Sequence, residues 1–198
     1  MYHDLTANIR RMLDLIQHSD PEFYKTATHA IEIGCFHGTT TNLLVDTFTR
    51  HNPEGFQNVT CVDPWSDDYQ ELGNVPWNPV WDGQYAKFLE NTKRNQAKID
   101  IRRGPSQQVV PTLQGQKTFD FAYIDGEHTE AATYTDAVNV LPMMKPGSYI
   151  LFDDYLWGDY VNQPELTPKR AVDRFVEEFK DKIEVVHQDF QFLVRLKP

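Results

Sequence analysis

The chain has 198 residues, of which 40% are hydrophobic, and its formal net charge at pH 7 is -10. This length and composition are typical of one domain with a sizeable core, so we expect a single domain over residues 1–198. The 29 acidic residues outnumber the 19 Lys and Arg residues, which argues against a surface for nucleic acid or for an anionic membrane.

Residues 1–27 are predicted to form an N-terminal helical segment, in which apolar residues recur at helical spacing as a core or contact surface. Charges inside this segment distinguish it from a signal peptide, and the sequence contains no apolar run of ~18 residues. A cytoplasmic location follows as an expectation. The two cysteines, Cys35 and Cys61, are too few for a disulfide framework or a metal cage, and we expect both to be reduced packing residues.

From residue 29 onward, short apolar and β-branched runs alternate with helix-like segments, which predicts an α/β fold with a mostly parallel sheet and helices on both faces. The predicted strands are residues 29–34, 58–63, 98–103, 119–125 and 147–154, and the predicted helices are about 38–50, 82–96, 106–114, 129–142 and 167–181. The tail alternates as two further strands around Gln188 and Asp189, which predicts an antiparallel finish to a seven-stranded sheet. Residues 64–83 are irregular, and we interpret them as a lid loop.

The ends of the first two strands favour a nucleoside-bearing ligand, because ligands of doubly wound sheets bind beyond the carboxyl ends of the strands. In "EIGCFHGTT", Gly34 and Gly38 permit a tight turn and expose the first amides of the next helix. Asp63 ends the second strand, where an acid can accept both hydrogen bonds of a ribose diol. The dinucleotide and phosphate-loop patterns do not occur, which disfavours NAD and ATP. By themselves, these residues fit a tight turn and a surface acid equally well.

The fourth and fifth predicted strands end in acids. Adjacent strands lie ~4.8 Å apart, so Asp125 and Asp153 can converge on one hard cation, and oxygen ligands favour Mg²⁺, Mn²⁺ or Ca²⁺ over Zn²⁺. In the alternative interpretation, Asp125 and Gly126 form a turn, and Asp153 or Asp154 caps the next segment.

Five segments resemble, in order and spacing, the class I S-adenosylmethionine-dependent methyltransferases: "EIGCFHGTTTNLL", "CVDPW", "GPSQQVVPTL", "FDFAYIDGEHTEAATYTDAVNVLPMMKPGSYILFDDYLW" and "PKRAVDRFVEEF". The likeness spans roughly residues 28–181. It is closest to a small bacterial and phage-type branch with "IDG-x-H" and "DDY" motifs, while "GPSQQVVP" is similar to the metal-dependent catechol O-methyltransferases. The resemblance implies a Rossmann-like class I methyltransferase fold.

The resemblance also implies site residues. Those for the cofactor are Glu32, Gly34, Cys35, Phe36, Gly38, Thr40, Asp63, Pro64, Trp65, Ser106, Gln107 and Asp125. Among them, the loop around Gly34 would hold the amino-acid part, Asp63 the ribose, and Trp65, Ser106 and Gln107 the adenine. The implied ligands of a divalent cation are Asp125, Asp153 and Asp154.

His128, with Asp125, is the candidate for catalysis, because an imidazole with an ordinary pKa of ~6.5 can accept a proton from a hydroxyl near neutrality. A cation on the same oxygen would help by lowering the pKa of that hydroxyl. The alternative is a histidine that only hydrogen-bonds Asp125 or Glu127. Three departures from the family pattern are Phe36 for a glycine, Asp154 for an asparagine and His128 for a lysine base.

The four tryptophans, Trp65, Trp77, Trp81 and Trp157, lie in or beside the segments that follow the second and fifth strands. They could line the pocket for an adenine and a ring-bearing acceptor, or pack as a small local core. We favour a mixture of both, with Trp65 and Trp157 nearest the ligand.

The main functional hypothesis is O-methylation of a small hydroxyl-bearing acceptor, a phenol or a sugar, with S-adenosylmethionine as methyl donor and Mg²⁺ or a similar cation as an aid. The second hypothesis is metal-independent N- or O-methylation that uses Asp125 and His128. The third is a non-catalytic module that binds a nucleoside or a partner. The N-terminal helix and the C-terminal strands offer contact surfaces for a homodimer.

Overall fold

The computed structural model describes residues 5–66, 83–160 and 167–198. Most of the predicted lid, together with Trp77 and Trp81, lies outside the described residues. The helices are α1 (Leu5–Ser19), α2 (Pro21–Thr26), α3 (Thr39–His51), α4 (Gln84–Thr92), α5 (Ser106–Val109), α6 (Glu130–Val140), α7 (Trp157–Tyr160) and α8 (Lys169–Phe179). The strands are β1 (His29–Ile33), β2 (Asn58–Asp63), β3 (Ile99–Arg103), β4 (Phe119–Ile124), β5 (Met144–Phe152), β6 (Ile183–Gln188) and β7 (Phe192–Leu196).

The strands form one sheet in the order β3-β2-β1-β4-β5-β7-β6. Strands β1 to β5 pair in parallel, and β7 pairs antiparallel with both β5 and β6. The predicted mostly parallel sheet with an antiparallel finish is thereby confirmed. From β1 the chain builds outward to β3, and from β4 it builds in the opposite direction, so the strand order reverses between β1 and β4. This reversal is where doubly wound sheets bind their ligands.

Two hydrophobic clusters cover the opposite faces of the sheet. Because side chains alternate along a strand, Ala30 packs in the first cluster and its neighbour Ile31 in the second. Residues of α1 to α4 complete the first cluster, and residues of α6 and α8 contribute to the second. Burial on both faces explains why the parallel strands are continuous apolar runs in the sequence.

The N-terminal segment forms two helices that meet at Asp20 and Pro21. Proline is favoured in the first turn of a helix, where its missing N–H removes no hydrogen bond, and α2 begins at Pro21. The apolar stripe of α1, including Ile9 and Ile16, is fully buried and belongs to the core. Among the helices of the described ranges, none has both the length and the hydropathy required to cross a membrane.

Candidate active site

A cavity of about 590 Å³ lies at the carboxyl ends of the parallel strands. The predicted site residues on its wall are Gly34, Cys35, Phe36, Thr40, Asp63, Pro64, Ser106, Gln107, Asp125, His128, Asp153 and Asp154. The tertiary structure thus brings together segments that follow five different strands. The wall also includes residues that were not among the predicted site residues, namely Thr6, His37, Thr39, Ser66, Gln84, Tyr123, Gly126 and Glu127.

The loop after β1 is held against the end of β4 by close backbone contact. Gly34 has φ +83°, and a Cβ added there would lie 1.9 Å from the backbone oxygen of Asp125. Only glycine fits this position, for both conformational and steric reasons. Gly38, with φ +78°, precedes α3 and packs on Thr92 and Phe88 instead of lining the cavity.

The carboxylate of Asp63 binds the backbone of neighbouring loops. Its Oδ2 accepts hydrogen bonds from the amides of Cys35 (2.8 Å) and Phe36 (2.9 Å), and its Oδ1 accepts one from the amide of Trp65 (2.6 Å). A carboxylate has about four acceptor positions, so little capacity remains for the two hydroxyls of a ribose. Asp63 therefore shapes the first loop in addition to bordering the cavity.

Glu32 and Trp65 lie beneath the cavity wall. Glu32 is fully buried, its Oε2 accepts a hydrogen bond from Thr41 Oγ1 (2.5 Å), and burial raises its pKa to about 8. The sequence favours a place for Trp65 beside the adenine, but the structure packs its ring in the core against Phe88 and Tyr85. The reason is that the indole N–H donates to the Phe36 carbonyl (2.9 Å), which fixes the ring under the loop.

Asp153, one of the three expected metal ligands, is held on the cavity wall by hydrogen bonds. Asp153 Oδ1 accepts hydrogen bonds from Gln191 Nε2 (3.0 Å) and from the Asp154 amide (2.8 Å), and its Oδ2 accepts one from the Tyr123 hydroxyl. Tyr123 also contacts Asp125 Oδ2 at 3.2 Å, so it lies between the two carboxylates. These bonds hold the Asp153 carboxylate in place on the wall.

Asp125 and Asp154 instead face His128. The Nε2 atom of His128 lies 3.0 Å from Asp154 Oδ2 and 3.8 Å from Asp125 Oδ1. Asp154 has φ 53°, an uncommon conformation for a residue with a side chain and one that often marks functional sites. One ligand atom from each of these three residues lies within 4.8 Å of the others, which is close enough for a shared metal ion.

Crowding changes the proton affinity of this cluster. Burial, and then the charge of Asp153, raise the pKa of Asp125, while its hydrogen bond with His128 opposes the rise. Burial, and then the charge of Asp154, raise the pKa of Asp153. A divalent cation would relieve this mutual repulsion, so the chemistry of the donor set fits a metal.

Tyr123 and Gln191 both donate hydrogen bonds to Asp153, but only the position of Tyr123 could have been predicted from the sequence. Tyr123 precedes Asp125 by two positions, so the alternation of a strand places both side chains on one face, and this signal could have identified it. Gln191 lies in the turn between β6 and β7, 38 residues from its partner Asp153, and no local pattern indicates that contact.

A doubly wound sheet with an antiparallel end strand and a cavity at its point of reversal is the architecture of class I methyltransferases. Residues 31–155 match the family model described as "Methyltransferase domain". This segment covers more than half of the 198 residues, and the chain belongs to that family.

Two plant enzymes are similar in sequence to this chain. Caffeoyl-CoA O-methyltransferase 2 from Zea mays is 34% identical over 86 residues, which are 41% of this chain and 32% of that enzyme. Tricin synthase 1 from Oryza sativa subsp. japonica is 26% identical over 155 residues, which are 75% of this chain and 53% of that enzyme. The chain thus matches about a third to a half of the length of these relatives.

Solved structures share the fold. The O-methyltransferase NovP superposes with a TM-score of 0.71 at 17% identity, over 97% of this chain and 79% of that one. TomG from Streptomyces achromogenes, an O-methyltransferase in complex with S-adenosylmethionine, gives a TM-score of 0.63 at 16% identity, over 95% of this chain and 79% of that one. At these identities, the likeness establishes the fold alone.

Proposed function

We propose that the protein transfers a methyl group from S-adenosylmethionine to a hydroxyl oxygen of a small acceptor, such as a phenol or a sugar, with the help of a divalent cation. The main observation behind this proposal is that Asp63, the Gly34 loop and the cluster of Asp125, His128 and Asp154 all line the same cavity. Relatives with O-methyltransferase in their names support the reaction type.

The strand order suggests how the cofactor lies. Ser106 and Gln107 follow β3, Asp63 ends β2, and Gly34 follows β1, so these groups form a row along the edge of the sheet. A cofactor with its ribose beside Asp63 would place its base toward β3 and its amino-acid part toward β1. Its sulfonium would then face the acids after β4. The remaining cofactor residues, Glu32, Gly38 and Trp65 among them, would act from behind the wall.

We assign cation binding to Asp125 and Asp154, with Asp153 as the third carboxylate of the cluster. Hard oxygen ligands suit Mg²⁺ or a similar ion. Such a cation, when bound, lowers the pKa of an acceptor hydroxyl and neutralises the negative charge of the carboxylates. Tyr123 keeps Asp153 in place by donating a hydrogen bond to it.

His128 is assigned as the proton acceptor. Its side chain lines the cavity and is 17% exposed, so a bound acceptor can reach it. The acceptor oxygen attacks the methyl carbon in line with the sulfur, the carbon–sulfur bond breaks, and its electrons remain on sulfur in the S-adenosylhomocysteine product. The proton of the acceptor passes to His128, while Asp125 and Asp154 orient the imidazole.

A second role for His128 follows from the same distances, because Nε2 is close enough to Asp125 and Asp154 to bind the cation itself. The two roles differ in a measurable way. If His128 is the base, His128→Ala abolishes methyl transfer and leaves Mn²⁺ affinity unchanged. If it is a ligand, the same substitution weakens Mn²⁺ binding, which electron paramagnetic resonance of free Mn²⁺ would detect.

The proposed function is tested by calorimetric titration of S-adenosylhomocysteine, with EDTA and then with excess Mg²⁺. We expect binding that Asp63→Ala weakens, and a separate Mg²⁺ heat that Asp154→Ala removes. Cofactor binding without a Mg²⁺ heat would favour metal-independent methylation of nitrogen or oxygen. Absence of cofactor binding would contradict the methyltransferase proposal and leave a non-catalytic module. Product formation is then measured with a panel of phenols and sugars.

We also propose a cytoplasmic location and a homodimer. Support for a dimer is the sheet edge formed by β6, where the large apolar side chain of Val185 is 47% exposed. Light scattering at several protein concentrations tests for the dimer, and Val185→Lys should dissociate a dimer that forms through this sheet edge.

The net charge of -10 supports the expectation that nucleic acid and membranes are not partners.

A further inference from the structure

The hydroxyl of Tyr123 contacts two carboxylates of the proposed cation site. It donates a hydrogen bond to Asp153 Oδ2 and lies 3.2 Å from Asp125 Oδ2. A phenol has one proton, so the hydroxyl donates to one carboxylate while its oxygen occupies the space beside the other. The side chain lines the cavity, but the residue is only 1% exposed and packs in the first hydrophobic cluster. Close packing of the ring therefore fixes the hydroxyl between the two acids.

The two carboxylate oxygens of Asp125 have different neighbours. Oδ2 is the atom beside the Tyr123 hydroxyl, whereas Oδ1 lies 3.8 Å from His128 Nε2. Asp125, His128 and Asp154 each offer a ligand atom within 4.8 Å of the others. A cation held by this cluster can thus take Oδ1 of Asp125, while the Tyr123 hydroxyl occupies the space beside Oδ2.

Both oxygens of Asp153 also have donors from the protein. Tyr123 donates to Oδ2, and Gln191 Nε2 and the Asp154 amide donate to Oδ1 at 3.0 Å and 2.8 Å. A cation that used both oxygens of Asp153 would have to displace these hydrogen bonds. Tyr123 is the one residue that contacts Oδ2 of both Asp125 and Asp153 among these donors.

We propose that Tyr123 is a positioning residue that limits Asp125 and Asp153 to one oxygen each for the cation, and thereby shifts the preference of the site from Ca²⁺ toward Mg²⁺ or Mn²⁺. Ca²⁺ takes about six to eight oxygen ligands and often uses both oxygens of a carboxylate. Mg²⁺ and Mn²⁺ prefer octahedral sites, and Mg²⁺ keeps several of its water ligands. Withholding the second oxygen of a carboxylate therefore costs Ca²⁺ more affinity than it costs Mg²⁺.

This inference rests on the proposed function, which assigns a divalent cation to Asp125 and Asp154. The test is displacement of Mn²⁺ by Mg²⁺ or by Ca²⁺, followed as free Mn²⁺ by electron paramagnetic resonance. Tyr123→Phe keeps the ring and removes the hydroxyl, which opens the space beside both Oδ2 atoms. We expect the ratio of Ca²⁺ affinity to Mg²⁺ affinity to rise at least about tenfold in this variant, because Ca²⁺ gains bidentate carboxylates.

Tyr149→Phe is the matched control. Tyr149 is also a buried tyrosine, and its hydroxyl donates to a carboxylate, Asp20 Oδ2, at 3.2 Å. Neither Tyr149 nor Asp20 is on the cavity wall, so we expect the wild-type ratio in this variant. Thermal unfolding checks that both variants are folded. A purely structural role of Tyr123 would lower the melting temperature without changing the ratio of the two affinities.

An unchanged ratio in folded Tyr123→Phe, or an equal rise in Tyr149→Phe, would overturn the inference and leave the proposed cation site in place. Failure of the wild-type protein to bind Mn²⁺ would overturn the cation assignment in the proposed function, and the inference with it.

Discussion

Asp154 and His128 follow different strands, yet Asp154 Oδ2 lies 3.0 Å from His128 Nε2. Two features of the fold create this contact. The pairing of β4 with β5 brings the two loops side by side, and the left-handed backbone of Asp154 (φ 53°) turns its carboxylate toward the imidazole. The contact joins the candidate base to a candidate metal ligand.

Replacing Asp154 should change the stability of the protein and its affinity for Mn²⁺ in opposite directions. We expect Asp154→Gly to stabilise the protein by up to about 1 kcal/mol, because glycine adopts a positive φ without strain, and to weaken Mn²⁺ binding at least about tenfold. Urea denaturation and Mn²⁺ titration measure the two effects. Glu177→Ala, at an exposed position of α8, is the control and should change neither. Unchanged Mn²⁺ affinity in Asp154→Gly would remove Asp154 from the ligand set.

Gly34→Ala should severely destabilise the protein, by about 2–5 kcal/mol, because the new methyl group would collide with the Asp125 backbone and the residue would keep a strained positive φ. A matched control is Gly115→Ala. Gly115 also has a positive φ (+75°), but a Cβ there would meet no atom within 4 Å, so only about 1 kcal/mol of conformational strain is expected. Equal losses at the two positions in chemical denaturation would argue against the close packing of the loops.

Asp63→Ala should weaken S-adenosylhomocysteine binding at least tenfold and lower stability by about 2 kcal/mol, since three backbone amides lose a charged acceptor. Asp63→Asn keeps one acceptor oxygen and should show a smaller loss of both. Calorimetry and urea denaturation separate the effects. If a variant keeps wild-type affinity for S-adenosylhomocysteine but is less stable, the role of Asp63 is to hold the backbone of the loops and not to bind the cofactor.

The stability of the protein should depend on pH through Asp136. Burial raises the pKa of Asp136 in the folded protein to about 7, above its ordinary value of 3.8. Its contribution to the free energy of unfolding is therefore fully present below pH 3.8 and is lost as the pH rises through about 7. We expect Asp136→Asn to gain stability relative to wild type between pH 5 and pH 8, by at most about 3 kcal/mol. Subtracting the unfolding free energy of the wild-type protein from that of the variant removes the pH-dependent contributions of other titrating groups, such as Glu32. A constant difference across this range would contradict the assignment.

The sequence by itself determined the layered architecture. Apolar runs of strand length separated by helical periodicity specify a parallel sheet, because each element must bury its own apolar face. Gly34 and Asp63, as residues at strand ends, then locate a ligand cavity by topology alone. The short helix α7 was not predicted, since its four residues are too few to display a helical period.

Tertiary structure decided which side chains point into that cavity. Trp65 packs in the core because its indole N–H donates to the Phe36 carbonyl. Asp153 is fixed on the cavity wall by hydrogen bonds from Tyr123 and Gln191. Nothing in the local sequence indicated that Asp136 would be buried, because its burial depends on packing next to the loop at Gly126. Strands and helices can be inferred from periodicity, but the direction of a carboxylate depends on hydrogen-bond partners that are distant in sequence and meet only when the chain has folded.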